Sequence, residues 1–145
     1  MSNFVDTLKD LLIENDLTRA ELAKILNVKP PTITRYMLSK QYPTIEIAIK
    51  IGDYFNYTLD YLFGLKEVNE PKNFKVCPPF DKHFRFLLEY FNKSVKDINN
   101  ETNLAMSAMF YWLSGKRTPT IDSIIKLAKF FNCSIDFVIG RVDFD

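Results

Sequence analysis

Glycine is scarce in this chain, at four residues in 145, while leucine, isoleucine, lysine and asparagine are plentiful. That balance excludes a turn-rich β-protein and favours helices. Long apolar runs are missing too, so no segment reaches the length of a transmembrane helix. The first residues, MSNFVDTLKD, are acidic early and carry no secretory pattern. Only two cysteines occur, Cys77 and Cys133, too far apart in sequence for metal-ligand spacing. Reduced thiols in a cytoplasmic protein are the expectation. Histidine occurs once, as His83, without a nucleophile or a glycine-rich phosphate loop. Asp53, Asp60 and Asp136 read as cap and surface carboxylates. We therefore expect no enzyme, no metal and no cofactor. Charge of one sign is lacking as well, since the net value is +1.

What is present is a hydrophobic content of 47% with 14% aromatics, enough for a packed core. The chain also repeats itself. Shifted by 76 residues, Phe4–Gly64 aligns with Phe80–Gly140 without a gap, and 14 of 61 positions are identical. They include Leu11/Leu87, Asn27/Asn103, Lys40/Lys116, Pro43/Pro119, Thr44/Thr120, Asn56/Asn132 and Asp60/Asp136. An internal duplication explains a register held this long. Residues 67–79, EVNEPKNFKVCPP, hold three prolines and match nothing in the repeat. They read as a linker between a first domain at 1–66 and a second at 80–145. Domains this small have little core to spare, so docking of the copies is expected to help stability.

Each copy reads as five helices. In the first, Phe4, Leu8, Leu11 and Leu12 form an apolar stripe at helical spacing. Thr18 and Glu21 make a capping box, in which each side chain satisfies a backbone N–H at a helix start. Leu22, Ala23, Ile25 and Leu26 supply a buried face. Asn27 ends the helix, because asparagine tolerates the left-handed backbone of a sharp turn. Pro30 or Pro31 fits the first turn of the next helix. That helix buries Ile33 with Tyr36 or Met37 and ends near Ser39. Thr44 caps a fourth helix, so apolar around its circumference that it reads as the central one of a bundle. Thr58 caps a short fifth helix that stops at Gly64. The second copy follows, with Ser94 and Asp97 as capping pair and Asn103 at the turn. Its later helices run over Met106–Leu113, Thr120–Phe131 and Ser134–Ile139.

The copies differ in local charge. From Thr18 to Tyr42, Arg19, Lys24, Lys29, Arg35 and Lys40 stand against Glu21 alone. From Ser94 to Thr118, Lys96, Lys116 and Arg117 stand against Asp97 and Glu101. The first copy is the electropositive one.

Through TxxELAxxLNVxxxTITRYxxxKxxPTIEIAIKI the first copy resembles the helix-turn-helix family of phage lambda repressor and Cro, the XRE-type domains. The second resembles it through IxxxTNLxxxxMFYWLSGKRTPTIDSIIKLAKFFNCSIDFVIG. The resemblance implies an all-α fold of two tandem five-helix domains and binding to double-stranded DNA. It further implies that the helix after the turn enters the major groove while the helix before it crosses the backbone.

Carried over by position, Pro30, Pro31, Thr32, Thr34 and Arg35 occupy the reading face of the first copy, with Lys29 beside them. Thr18, Arg19, Lys40, Gln41 and Tyr42 take the phosphate-facing places. Proline has no donor for a base, although its ring can pack on a thymine methyl. Hydrogen-bonded reading therefore falls on Thr32, Thr34 and above all Arg35, whose guanidinium can grip guanine O6 and N7 together. In the second copy the reading face holds Met106, Ser107, Phe110 and Tyr111, with Lys116, Arg117 and Thr118 placed for phosphate. Three large side chains on that face suit apolar DNA contact or a protein interface through Met106, Phe110 and Tyr111. The alternative is that the face lies one residue round and Met106 or Phe110 is core. Two functions follow from the resemblance. One is a sequence-specific transcriptional regulator, repressor-like, with the first domain as main major-groove reader and the second as a further DNA contact or a protein interface, for a second copy of the chain or another protein. The other is a protein-interaction adaptor or antirepressor on a degenerate helix-turn-helix scaffold.

Overall fold

The computed structural model describes residues 2–38 and 41–144. Among them the chain forms ten α-helices and no strand. Two compact units divide it, Met1–Lys72 and Asn73–Asp145. In unit 1 the helices are α1 (Ser2–Glu14), α2 (Arg19–Leu26), α3 (Pro30–Leu38), α4 (Ile45–Phe55) and α5 (Leu59–Leu62). In unit 2 they are α6 (Phe80–Tyr90), α7 (Val95–Thr102), α8 (Met106–Ser114), α9 (Ile121–Phe131) and α10 (Ile135–Ile139). The three middle helices of each unit fall at equivalent positions of the repeat.

Local chemistry sets these boundaries. Thr18 and Ser94 cap α2 and α7, each accepting from a backbone N–H at 3.1 Å, with Glu21 and Asp97 returning the bond. Thr44, Thr58, Thr120 and Ser134 cap four further helices through their hydroxyls. Left-handed backbone recurs at paired positions: Asp16 and Asn92, Asn27 and Asn103, Asn56 and Asn132, Gly64 and Gly140. Short polar side chains and glycine suffer least there. The duplication is thus retained at the points where the chain must turn.

Unit 1 packs around Phe4, Leu8, Leu11, Leu22, Leu26, Ile33, Ile51, Leu59 and Leu62, all within 1% of full burial. Burying each such side chain contributes roughly 1.5–3 kcal/mol before entropy is counted. Two expectations need correction. The helix expected to be central, α4, buries only Ala48, Ile51 and Gly52, while Tyr54 is 63% exposed. Its isoleucines at 45, 47 and 49 are half-buried, because α4 meets α2 and α5 along one side. Asp60 and Asp136 are not surface carboxylates but buried ones. Each sits in the first turn of a short helix whose neighbouring apolar residues pull it inward.

Unit 2 carries an added anchor. Arg141 is fully buried, its Nη1 2.8 Å from Asp136 Oδ1 and its guanidinium 3.6 Å from the Phe74 ring centroid. The Arg141 carbonyl accepts from the Lys75 N–H at 2.9 Å, and Lys75 Nζ pairs with Asp143 at 2.7 Å. His83 is core, with Nε2 2.8 Å from the Phe137 carbonyl. The segment read as a linker is therefore fastened at both ends. Phe74 and Lys75 bind unit 2, and Asn69 bridges Asn56 O and Thr58 N in unit 1.

Candidate nucleic-acid interface

The site is built on α2, the turn at Asn27 and α3. Asn27 adopts φ 57° and its N–H reaches Ala23 O and Lys24 O, while the Val28 N–H bonds Ala23 O at 2.9 Å. The Lys50 ammonium adds a side-chain bond to Leu26 O at 3.2 Å. Ala23 is buried, so α3 can lie close on α2, its most extensive partner. Pro30 opens α3, where a missing N–H costs nothing. Ile33, Tyr36 and Met37 fix the buried side of α3; both aromatic and methionine serve where one was expected.

The opposite side of α3 faces solvent. Pro30, Pro31 and Arg35 are exposed, and Thr32 and Thr34 are partly so. Leu38 ends the same face and is 72% exposed. Arg35 Nη2 lies 3.5 Å from Thr32 Oγ1, a weak bond between two of the expected readers. Leu38 escaped the sequence reading, although its place seven residues after Pro31 puts it on the same stripe.

Flanking these, Thr18, Arg19, Lys29 and Gln41 are exposed. Glu21 is held below the usual carboxylate range by the Thr18 backbone N–H and then its hydroxyl, so the capping box stays charged at neutral pH. Lys40 lies outside the described residues. Tyr42 departs from the expectation of a phosphate-facing side chain. Its ring packs edge-on to Phe63 at 5.1 Å and Phe4 at 6.1 Å, half-buried, and so joins the core. On α1, Asp6, Lys9, Asp10 and Glu14 are exposed.

In unit 2 the corresponding turn is held differently. Asn99 stands where Ala23 stood, and its Nδ2 donates to Leu104 O at 2.8 Å. The Thr102 hydroxyl donates to Ile98 O at 2.6 Å and accepts from the Leu104 N–H at 3.1 Å. With a larger polar residue in that place, α8 packs most extensively on α6 rather than on α7. Trp112 draws it there, 5.4 Å from Phe84 and 6.1 Å from Phe80.

Met106, Ser107, Phe110 and Tyr111 all face solvent, with Phe110 53% exposed. The alternative that Met106 or Phe110 is core is thereby set aside. Lys116, Arg117 and Thr118 are exposed in the loop after α8, where Gly115 takes φ 77° and the Lys116 N–H bonds Tyr111 O at 3.0 Å. Arg117 stacks on the Tyr111 ring at 4.7 Å. Asp81 brings a carboxylate beside the same loop, 3.8 Å from where a Cβ on Gly115 would stand.

A capped helix, a left-handed turn and a second helix with one buried and one exposed face define a helix-turn-helix protein. The family model described as helix-turn-helix matches residues 8–62 and 105–138. The chain belongs to this family, the XRE-type, lambda repressor-like branch of DNA-binding regulators, in two copies. The second match begins at 105, after the turn that Asn99 and Thr102 rebuild. No curated protein and no solved structure matches the chain. Among the described residues no helix is long and apolar enough to cross a membrane, and no three His, Cys, Asp or Glu gather as metal ligands would.

Proposed function

We propose that the chain is a sequence-specific transcriptional regulator, acting in the cytoplasm as a repressor, with unit 1 as its main major-groove reader. The observation that carries this is the exposed face of α3. It presents Arg35 beside Thr32 and Thr34, with Arg19 and Lys29 exposed nearby. Exposed Arg19, Lys24, Lys29 and Arg35, on and between α2 and α3, suit a polyanion. Arg35 is the residue assigned to base reading, and Thr18, Arg19, Lys29, Lys40 and Gln41 are assigned to backbone contact.

Unit 2 is proposed as the half that secures the chain, either through a second duplex contact or through a protein, a second copy of the chain included. Three features support its lesser part in reading. The turn before α8 is rebuilt, Arg117 is stacked on Tyr111, and Asp81 offsets the loop cations. A second reading, an adaptor or antirepressor, is favoured by the exposed Met106, Phe110 and Tyr111.

Selection of bound duplexes from a random pool by the full chain, followed by mobility-shift titration at two salt concentrations, tests these assignments. Arg35→Ala is expected to lose about 1–3 kcal/mol of specific binding. If unit 2 touches DNA, Arg117→Ala reduces the salt slope by about one. If it serves a protein, that variant titrates like wild type and Phe110→Asp breaks self-association or partner capture. No enriched duplex at low salt, together with partner capture, supports the adaptor.

A further inference from the structure

The exposed face of α3 is rich in hydrocarbon and poor in donors. Pro30 and Pro31 are exposed and have no N–H. Leu38 is 72% exposed at the other end of the stripe. Thr32 and Thr34 each add a methyl beside their hydroxyl, and the Thr32 hydroxyl lies against Arg35 Nη2. Arg35 is the one charged reader on this face of the helix. Ile13 and Tyr54 are also exposed in unit 1, but on α3 the exposed apolar groups flank a cation, so this stripe suits a partner that is itself apolar in places and anionic around them.

Duplex DNA meets that description at one base. In the major groove only thymine presents a methyl group, at C5, and apolar side chains pack on it. Resting on the reading of unit 1 as the groove reader, we infer that it recognises thymine C5-methyl groups, through Pro31 and Leu38 on either side of Arg35. The seven-residue step from Pro31 to Leu38 rises about 10 Å along the helix, or about three base steps of 3.4 Å. The preferred half-site is thus a G·C pair gripped by Arg35, with thymines on both sides roughly three steps apart. The exposed Arg19 and Lys29 supply the complementary charge that brings phosphate to the rim of this stripe.

Deoxyuridine tests the inference, because it keeps every hydrogen bond of thymine and lacks only the methyl. In the duplex selected by the full chain, each thymine is replaced in turn by deoxyuridine, and the affinity is measured for wild type, Pro31→Ser and Leu38→Ser. Loss of one methyl contact is expected to weaken binding about fourfold. Two positions should respond in wild type, one silenced by Pro31→Ser and the other by Leu38→Ser. Both residues are exposed, so the variants keep the core, and unchanged circular dichroism checks this. If deoxyuridine duplexes bind as tightly as thymine ones while Arg35→Ala still weakens binding, the methyl inference fails and the groove-reading assignment stands. If the full chain selects no duplex, both fail.

Discussion

Removal of the Arg141 charge is expected to be the most damaging single substitution in unit 2. The guanidinium is fully buried, 2.8 Å from Asp136 Oδ1, and the carboxylate side chain is itself only 3% exposed. In Arg141→Met the aliphatic stem is replaced, but Asp136 stays behind as a buried carboxylate without its cation. Breaking a buried pair from one side costs about 3–5 kcal/mol. The stacking on Phe74 at 3.6 Å is lost in the same step. A unit the size of Asn73–Asp145 has roughly 4–11 kcal/mol of stability in total. The substitution should therefore remove between about a quarter of that stability and all of it.

The chain's single tryptophan, Trp112, is buried in unit 2 against Phe84 and Phe80. Its fluorescence in a urea titration of the full chain reports this unit rather than the other. Arg141→Met should lower the midpoint by more than about 1 M. Adding Asp136→Leu should recover much of the loss, since replacing a whole buried pair with apolar groups is often close to neutral. A Trp112 midpoint for Arg141→Met that corresponds to a loss under about 1 kcal/mol would refute the reasoning.

Two further outcomes are expected. Asn27 holds φ 57°, so Asn27→Ala should cost about 1 kcal/mol in unit 1 while Asn27→Gly costs less, as read by far-ultraviolet circular dichroism during urea unfolding. Equal midpoints for the alanine and glycine variants would remove the backbone explanation. His83 is held below its ordinary 6.5 by burial, against the opposing bond to Phe137 O, with Lys75 adding a smaller push in the same direction as burial. Its unfolded form takes up a proton first as pH falls. Unit 2 therefore has this contribution in full above about pH 6.5 and loses it as pH drops towards the lower folded value. His83→Gln can still donate to Phe137 O and should flatten the decline in the Trp112 midpoint between neutral pH and mild acid. An unchanged slope would point to another group.

The parts of the fold legible in the sequence are those decided locally. Capping needs a hydroxyl and a carboxylate three residues apart, and Thr18–Glu21 and Ser94–Asp97 state that outright. Turns that require left-handed backbone announce themselves as Asn27, Asn103 and Gly64, whereas Asn56 and Asn132 stood out only as an identical pair. Apolar spacing gave the buried sides of α1 and α3 for the same reason.

What stayed hidden depends on contacts between distant residues. Nothing near Asp136 says that Arg141 will be buried with it, or that Phe74 will cover both. The apolar run of α4 looks central because composition counts isoleucines but not how many neighbours surround them. The shift of α8 toward α6 follows from one substitution, Asn99 in place of Ala23, together with Trp112 against Phe84. Tyr42 was assigned by position, whereas its ring was claimed by Phe4 and Phe63. On the reading face, side chains chosen for hydrogen bonding drew attention to Arg35, and Leu38 passed unnoticed for lack of a polar atom.

The claim most in need of a direct test is that α3 of unit 1 reads DNA through Arg35. The measurement is a mobility-shift titration of the full chain and of Arg35→Ala on the duplex that the full chain selects from a random pool, with an unrelated duplex alongside. Arg35→Ala is expected to bind the selected duplex about 1–3 kcal/mol more weakly and the unrelated one as wild type does. Equal titrations of both proteins on the selected duplex would contradict it.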